Sequence, residues 1–209
     1  MSKKPQLIIF FSKLSIGGME RALIDFIKMS NLKKNYDVTL YLGYVIEKSY
    51  QESLEKYVNL RIVCQGKWNL FNKIITYIKM NIDYLKFKFR KDKYACSICY
   101  THHHRILAKL ARCASDNSIC FVHTDLLKSR TKDELNNLKK NLQFDKFKKI
   151  ICVSYCAKDA FLKIYPNYKG DVMVINNYIN GDNIIAKSKE KVSDYNFSGK
   201  TFINIARHV

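Results

Sequence analysis

The sequence predicts an α/β fold, a Rossmann-like parallel sheet with helices on both faces. Short apolar strands alternate with longer segments of helical period, which is the pattern of strands joined by crossover helices. The first strand, at residues 7–12, is a near-continuous apolar run, as expected for a strand that is buried on both faces of its sheet. With 209 residues and 47% hydrophobic content, the chain can bury the core of one domain or slightly more.

The individual elements follow from the period of the apolar residues and from turn and capping signals. Gly17-Gly18 opens the first helix, directly after the first strand. Thr131 and Glu134 form a capping-box pattern at the start of a later helix. The predicted strands are 7–12, 37–42, 60–63, 94–100, 119–122, 150–153 and 172–175, and the further predicted helices are 47–57, 70–90, 105–113, 131–142 and 154–165.

The chain is predicted to contain one domain and the start of another. Residues 1–182 form the Rossmann-like domain. Residues 183–200 are polar and charged without strong periodicity, which is typical of an interdomain linker. A new apolar strand follows at Thr201, and residues 201–209 are predicted to be the first strand of a second domain.

The helix predicted at 70–90 is basic and amphipathic. One interpretation, which the width of its apolar side favours, is a helix packed on the sheet with a solvated basic back. The other is a helix in the interface of a membrane, with lysines towards lipid headgroups and aromatic side chains at the acyl boundary. Both interpretations can hold for different parts of the same helix. The apolar side, which we name the apolar stripe, consists of Phe71, Ile74, Ile75, Ile78, Ile82, Leu85 and Phe89.

The chain is strongly basic. Its 37 lysines and arginines exceed its 18 acidic residues and give a formal net charge of +19 at pH 7. An anionic partner is therefore expected, and nucleic acid, an anionic membrane surface and a phosphorylated small molecule all fit the charge. The apolar runs are shorter than the roughly 20 residues of a membrane-spanning helix, and no signal-like region with a cleavage site follows Met1. We therefore expect a cytoplasmic protein.

Neither the cysteines nor the histidines form a convincing metal-binding pattern. The seven cysteines are an odd number, and most lie in apolar stretches where a free thiol behaves as a small hydrophobe. Cys96 and Cys99 lie three residues apart on a strand, so their side chains should point to opposite faces of the sheet. His102-His103-His104 are consecutive, and neighbouring side chains of an extended chain point in different directions. No metal ion is expected.

Candidate site residues fall at the ends of strands, where ligands bind in open parallel sheets. The Gly17-Gly18 turn lets the backbone approach a ligand closely, and the amides at the helix start can bind an anion such as phosphate, although adjacent glycines are also common in ordinary turns. The three histidines follow the fourth strand. His123 follows the fifth, where its imidazole either hydrogen-bonds a sugar hydroxyl or phosphate or is a satisfied loop histidine.

Taken in order, these segments resemble glycosyltransferase family 4, enzymes with two Rossmann-like domains. Residues 17–21 (GGMER) are similar to the family's G-G-x-E-R, and residues 120–125 (CFVHTD) are similar to its strand-ending histidine segment. Residues 151–154 (ICVS) open a helix as the family's V-S does, and 174–180 (VINNYIN) resemble its V-I-x-N-G-I-D. Residues 202–207 (FINIAR) resemble the strand that opens the second domain, so the resemblance spans nearly all of the chain.

The sequence departs from the family pattern at three positions. Tyr178 and Asn180 stand where the family has glycine and aspartate, which loosens the match at the hinge but leaves Asn177 in register. Ala206 replaces the glycine of the family's V-G-R, whose arginine corresponds to Arg207. The lysine and the paired glutamates that follow in the family's second domain would lie beyond the last residue of this chain.

The resemblance implies a retaining glycosyltransferase that moves a sugar from a nucleotide diphosphate sugar to a glycan or lipid-linked acceptor, in cell-surface polysaccharide synthesis, without a cofactor or metal ion. Gly17, Gly18 and Arg207 would bind the donor phosphates, and His123 would be the catalytic residue. The side chains expected to contact the acceptor or the sugar are His103, Thr124, Asp125, Ser154 and Asn177. The residues expected to support the turn are Glu20 and Arg21.

By the same resemblance, the chain corresponds to the amino-terminal, acceptor-side half of such an enzyme. It should be inactive alone, because the site of a two-domain enzyme lies between its domains, and it should work in the cytoplasm, where it can also dock at the inner face of the plasma membrane. The alternative is a non-catalytic basic module that binds anionic membrane or nucleic acid. Because the aromatic residues lie in apolar stripes rather than in a basic-aromatic platform, nucleic acid is not the expected partner.

Overall fold

The computed structural model describes residues 3–66, 69–90, 93–191, 200 and 202. Within these residues a seven-stranded, all-parallel sheet has the strand order β3-β2-β1-β4-β5-β6-β7. The predicted α/β class is confirmed. The strands are β1 Gln6–Leu14, β2 Asp37–Val45, β3 Asn59–Gln65, β4 Cys96–Cys99, β5 Ser118–Val122, β6 Lys149–Cys152 and β7 Asp171–Val174.

Helices connect these strands, and the capping box predicted at Thr131 and Glu134 is present at the start of one of them. All seven strands and six helices predicted before residue 180 are found, with ends that differ by a few residues. The short helices α2, α6, α9 and one 3-10 helix were not predicted, because pieces this short show no clear helical period. The helices are α1 Gly18–Met29, α2 Leu32–Asn35, α3 Lys48–Glu55, α4 Leu70–Lys88, α5 Arg105–Ala114, α6 Leu126–Ser129, α7 Lys132–Leu142, the 3-10 helix Phe144–Lys146, α8 Tyr155–Ile164 and α9 Gly181–Ser188.

The core lies on both faces of the sheet. Alternate residues of β1 point to opposite faces, so Ile8 belongs to one buried cluster, with residues of α4, α5, α7 and α8, whereas Ile9 belongs to a second cluster, with residues of α1 and α3. Cys99 belongs to the first of these clusters and Cys96 to the second, which confirms that their side chains lie on opposite faces. All seven cysteines are free thiols. Helices therefore cover both faces of the sheet, as predicted.

Helix α4 packs on the sheet through a face that the sequence analysis did not identify. Its buried residues are Thr76, Met80, Asp83 and Phe87. Most of the apolar stripe is exposed instead, with Phe71 at 69%, Ile78 at 52% and Phe89 at 74% of full exposure. The interpretation of the stripe as the packing face is therefore wrong.

A polar anchor and a close backbone approach explain why α4 turns this face inward. The buried hydroxyl of Tyr41 donates a hydrogen bond to Asp83 Oδ2 at 2.8 Å, and the Arg61 guanidinium donates to Asp83 Oδ1 at 2.6 Å. A β-carbon at Gly43 would overlap the Met80 methyl group and would lie 2.5 Å from the Ser12 carbonyl oxygen. Glycine at this point of β2 thus fits against β1 and leaves room for the Met80 side chain.

The chain forms two compact units, residues 1–178 and 179–209. Helix α9 lies in the second unit and occupies part of the segment predicted to be an irregular linker. The predicted boundaries at 182 and 200 stay a prediction, and the strand predicted at 201–209 lies outside the described residues apart from Phe202. Among the described residues, no helix is both long enough and apolar enough to cross a membrane.

Candidate functional site

The strand order of the sheet defines where a ligand crevice lies. From β1 the chain passes to β2 and β3 on one side, then returns to place β4, β5, β6 and β7 on the other side. At such a switch point the loops after the neighbouring strands diverge and leave a crevice outside the carboxyl ends of the strands. The loops after β1, β4 and β5 meet here, and they contain the predicted glycine turn and both histidine segments.

The glycine turn lies between β1 and α1. The Gly17 carbonyl accepts the Arg21 amide at 3.1 Å, which closes the first helical turn, and α1 begins at Gly18. A β-carbon at Gly18 would meet no atom within 4 Å, so open space lies beside the start of the helix. Unpaired amides at this end attract anions, as the phosphate prediction requires.

A carboxylate already lies over this turn. Glu20 accepts a hydrogen bond from the Ser15 hydroxyl at 2.8 Å, and its Oε2 would be 2.5 Å from a β-carbon at Gly17. A negative side chain at a helix start is electrostatically favourable, so Glu20 stabilises the turn while competing with any incoming anion. Arg21 points elsewhere and pairs with the buried Asp25 at 3.0 Å, one turn further along α1.

Two histidines from neighbouring loops are joined in the crevice. The His123 amide donates to His102 Nδ1 at 3.4 Å, and His102 Nε2 lies 3.4 Å from the Thr124 hydroxyl. The other end of the His123 ring, Nε2, lies 2.8 Å from the Tyr100 carbonyl oxygen. These contacts connect the end of β4 to the end of β5 and hold the His123 ring against the ring of Tyr100, with centroids 4.7 Å apart.

Burial keeps these imidazoles neutral. Loss of water lowers the pKa of His102 to about 3 and the pKa of His123 to about 4. A neutral His123 that contacts a carbonyl oxygen through Nε2 must carry its proton there, since a carbonyl only accepts. Its Nδ1 is then an acceptor. At neutral pH His123 is therefore equipped to accept a hydrogen bond from a hydroxyl group, not to act as a cation.

The other predicted contact residues lie around this pair or serve as helix caps. His103 is exposed beside His102, with ring centroids 5.5 Å apart. Asp125 caps α6 by accepting the Leu127 and Lys128 amides, and Ser154 caps α8 by accepting the Ala157 amide at 3.1 Å. Asn177 is exposed after β7, and Arg207 lies outside the described residues. The structure thus brings His103, His123 and Thr124 together, while the oxygens of Asp125 and Ser154 already have capping partners.

Sequence reasoning missed one residue of the crevice and placed a second, His102, at the strand end without choosing it as a contact residue. His102, not His103, is the histidine that contacts both His123 and Thr124. Arg130 follows α6, and its positive charge lowers the pKa of both His102 and His103, which shows that it lies close to them. The Arg130 Nε atom is buried and has no hydrogen-bond partner within the described residues. Only the position of Arg130, shortly after a strand-ending histidine, was a possible signal in the sequence.

The crevice combines groups that suit a polyol next to an anion. It offers the helix start at Gly18, a neutral imidazole acceptor at His123 and a guanidinium at Arg130. Within the described ranges, no three His, Cys, Asp or Glu side chains are grouped so that they could hold a metal ion. The helix start, the neutral imidazole and the guanidinium together favour binding of hydroxyls next to an anionic group.

The seven-stranded parallel sheet has a Rossmann-like fold, and it is similar to about half of several solved structures of GT-B fold. The crystal structure of Anabaena HepE in complex with UDP and glucose matches with a TM-score of 0.53 and 13% identity, over 88% of this chain and 50% of that chain. The lipopolysaccharide outer core galactosyltransferase WaaB, in its apo form, matches with a TM-score of 0.51 and 12% identity, over 83% of this chain and 46% of that chain.

A third solved structure shows the same likeness. Phytolacca americana UGT2, complexed with UDP-2-fluoro-glucose and pterostilbene, matches with a TM-score of 0.53 and 11% identity, over 91% of this chain and 58% of that chain. The chain thus spans about half the length of the structures it matches. No protein-family model and no curated protein matches the sequence. At these identities the likeness shows the fold.

Proposed function

We propose that the chain is the acceptor-side half of a nucleotide-sugar-dependent glycosyltransferase of the family 4 type. The observation that carries the proposal is the convergence of the glycine turn, His123 and Arg130 at the switch point of a GT-B-type domain. Proteins of this fold have been crystallised with UDP and sugars, which supports the choice of a nucleotide sugar as ligand.

The proposed roles follow from the chemistry of each group. The α1 start at Gly17 and Gly18 faces a donor phosphate, and Arg207 would neutralise the donor diphosphate from its position beyond the described residues. His123, through Nδ1, accepts a hydrogen bond from a hydroxyl of the sugar or the acceptor and orients it. Arg130 binds an anionic group of the donor or acceptor.

The finer features of the reaction belong to the same proposal. We propose transfer with retention at the anomeric carbon and without a metal ion, as implied by the resemblance to family 4. The acceptor is a glycan or a lipid-linked glycan of the cell surface, and the enzyme works at the cytoplasmic face of the membrane. His103 and Thr124 lie where acceptor contacts are expected, and Asn177 is exposed at the end of β7.

Nucleotide-sugar titration of the isotope-labelled chain, followed by NMR, tests the proposal. UDP-glucose and UDP-galactose should shift the amides of Gly17, Gly18 and His123 more than those of α7. Glu20→Gln should strengthen the binding of either nucleotide sugar, because it removes the carboxylate that competes for the helix start. Glu52→Gln, on the exposed side of α3, is the matched control and should leave binding unchanged. Shifts confined to other regions would exclude this site.

A second candidate function is a non-catalytic basic module, favoured by the net charge of +19. It predicts salt-dependent binding to duplex DNA or to anionic vesicles that nucleotide sugars do not influence. Under the glycosyltransferase proposal, the purified chain shows no detectable sugar transfer by itself, since the donor-binding groups of the family lie mainly in the other half. Sugar transfer by the chain alone would contradict the proposal that it is one half of a two-domain enzyme.

A further inference from the structure

Helix α4 presents a long apolar surface that no described element covers. Ile74, Ile78 and Leu85 are 51%, 52% and 52% exposed, and the stripe continues to the aromatic rings at its two ends. At about 1.5 Å per residue, the 19-residue helix is close to 28 Å long. Contiguous apolar surface of this kind on a protein marks an interaction site.

Positive charge lines both sides of the apolar stripe. A helix turns about 100° per residue, which places Lys79 and Lys86 along one side of the apolar stripe and Lys88 along the other. The only acidic residue of α4 is Asp83, which is buried and hydrogen-bonded to Tyr41 and Arg61. The exposed surface of the helix is therefore apolar in the middle and cationic at both margins.

A basic cleft adjoins the stripe between α4 and β3. Its volume is about 350 Å³, and Ile82 of the stripe forms part of its wall. Three cations, Arg61, Lys79 and Lys86, line it around the single carboxylate of Asp83. Arg61 and Lys86 approach that carboxylate at 2.6 and 3.9 Å, and Lys79 donates to the Val63 carbonyl at 3.4 Å. The cleft keeps an excess of positive charge and suits a phosphate group.

We propose that α4 docks the protein on the surface of a bilayer that contains anionic phospholipids. The apolar stripe lies at the boundary of headgroups and acyl chains, the lysine stems reach outward to the headgroups, and the cleft at Arg61 receives a lipid phosphate. The helix lies on the membrane and does not cross it. This inference is independent of sugar transfer and stands on the surface of α4 alone.

Charge complementarity selects a membrane over a second copy of the chain. The 3-4 spacing of the stripe also fits a helix pair, but a helix pair gains specificity from opposite charges beside its apolar seam. Two copies of α4 would bring Lys79 and Lys86 against further lysines, with no exposed acidic residue on the helix to compensate. An anionic lipid surface meets the same lysines with favourable charge.

Vesicle flotation of the full 209-residue chain tests the proposal. The chain should bind vesicles of phosphatidylcholine with phosphatidylglycerol and should bind pure phosphatidylcholine vesicles at least about tenfold more weakly. The pair Ile78→Ser and Leu85→Ser should reduce binding about tenfold or more, because it removes apolar side chains from the stripe. Both positions are half-exposed, so circular dichroism and thermal unfolding should show that this variant still folds.

Charge-reversal variants distinguish vesicle binding at α4 from binding that depends only on the net charge of the protein. Lys79→Glu with Lys86→Glu should reduce binding to the anionic vesicles about tenfold or more. Lys132→Glu with Lys140→Glu, on the exposed side of α7, makes the same change in net charge and should reduce it far less. Equal losses in both pairs would overturn the proposal, because binding would then follow net charge and not α4.

Two further measurements test the proposal: the insertion of α4 into vesicles and the self-association of the chain. In a Trp68→Phe background, the Ile78→Trp variant carries a single tryptophan on the apolar stripe. Its fluorescence should be quenched by phospholipids that are brominated on their acyl chains. Absence of quenching would overturn the proposal. Sedimentation velocity should show a monomer in which Ile78→Ser changes nothing. A dimer that this substitution dissociates, together with absent vesicle binding, would assign the stripe to a second copy instead.

Discussion

Helices α4 and α5 lie side by side on one face of the sheet but use their apolar residues in opposite ways. Helix α5 buries six of its ten residues, among them Leu107 and Leu110, and the Ser97 hydroxyl of β4 donates to its Ala111 carbonyl. Helix α4 buries only four of its nineteen residues, two of which are polar, and exposes its apolar stripe. One helix builds the core, and the other offers a surface.

The place of each helix in the sheet accounts for the difference. Helix α5 lies over β1, β4 and β5 in the middle of the sheet, where a buried helix must fill space with apolar side chains. Helix α4 lies over β2 and β3 at the edge, where the sheet offers Tyr41 and Arg61 as partners. An apolar side of a helix therefore does not by itself identify the face that packs.

The largest effect on stability is expected in the middle of α5. Leu110→Ala should lower the free energy of unfolding by about 2–5 kcal/mol, because Leu110 is fully buried and its removal leaves a cavity. Urea unfolding of the variant and the wild-type chain measures this loss. A loss below about 0.5 kcal/mol, the usual limit for surface changes, would show that α5 is not a core helix.

The second effect is expected at acidic pH, which should destabilise the end of β4 and the start of α5. Burial lowers the pKa values of His102, His104 and His123 to about 3, 4 and 4, below the ordinary value of 6.5. The unfolded chain therefore binds more protons than the folded chain between pH 6.5 and 4, and the free energy of unfolding falls as the pH falls through that window. Because each of these pKa values lies at least 2.5 below 6.5, the loss on going to pH 4 is up to about 3 kcal/mol for each histidine.

Urea unfolding across that window, with an NMR titration of the histidine ring protons, checks the acid prediction. The ring signals of these three histidines should not titrate near pH 6.5 in the folded protein. Helix α4 contains no histidine, so its signals should stay constant until the whole chain unfolds. Titration of the crevice histidines near 6.5 would show that they are open to water.

A smaller loss is expected where α4 is anchored to the sheet. Asp83→Ala leaves the buried Tyr41 hydroxyl without its acceptor and should lower the free energy of unfolding by about 1–3 kcal/mol. Arg61 is part-exposed and can turn to water, which limits the loss. Asp159→Ala, at an exposed position of α8, is the matched control. If urea unfolding shows equal losses for the two substitutions, the hydrogen bonds of Asp83 do not anchor α4 to the sheet.

The smallest effect is expected in the apolar stripe itself. Ile78→Ala should change the free energy of unfolding by no more than about 0.5 kcal/mol, because half of this side chain is already in water. The same substitution should reduce the binding of a fluorescent hydrophobic dye to the folded protein. If Ile78→Ala lowered the free energy of unfolding as much as Leu110→Ala does, α4 would pack on the sheet through its apolar stripe.

The sequence predicted the α/β class and the order of the main elements because apolar period and turn signals are local properties. It did not predict the orientation of α4, because the choice of face depends on Tyr41, Arg61 and Gly43, which lie far away in the chain. The strand-end rule placed the candidate crevice between the two histidine segments, and its role in ligand binding stays a prediction. It could not separate His102 from His103, since only the direction of the chain after β4 decides which ring turns inward.

The pairing of β1 with β4 in the middle of the sheet also determines when the crevice can form. Strand β1 pairs with β4, and the Ser12 amide donates to the Thr101 hydroxyl across a separation of 89 residues. Closing so long a loop costs chain entropy before any contact compensates it, which slows the assembly of parallel sheets. During synthesis, the glycine turn is made well before the histidine segments that follow β4 and β5. The crevice can therefore be completed only after both of these strands have been made and paired.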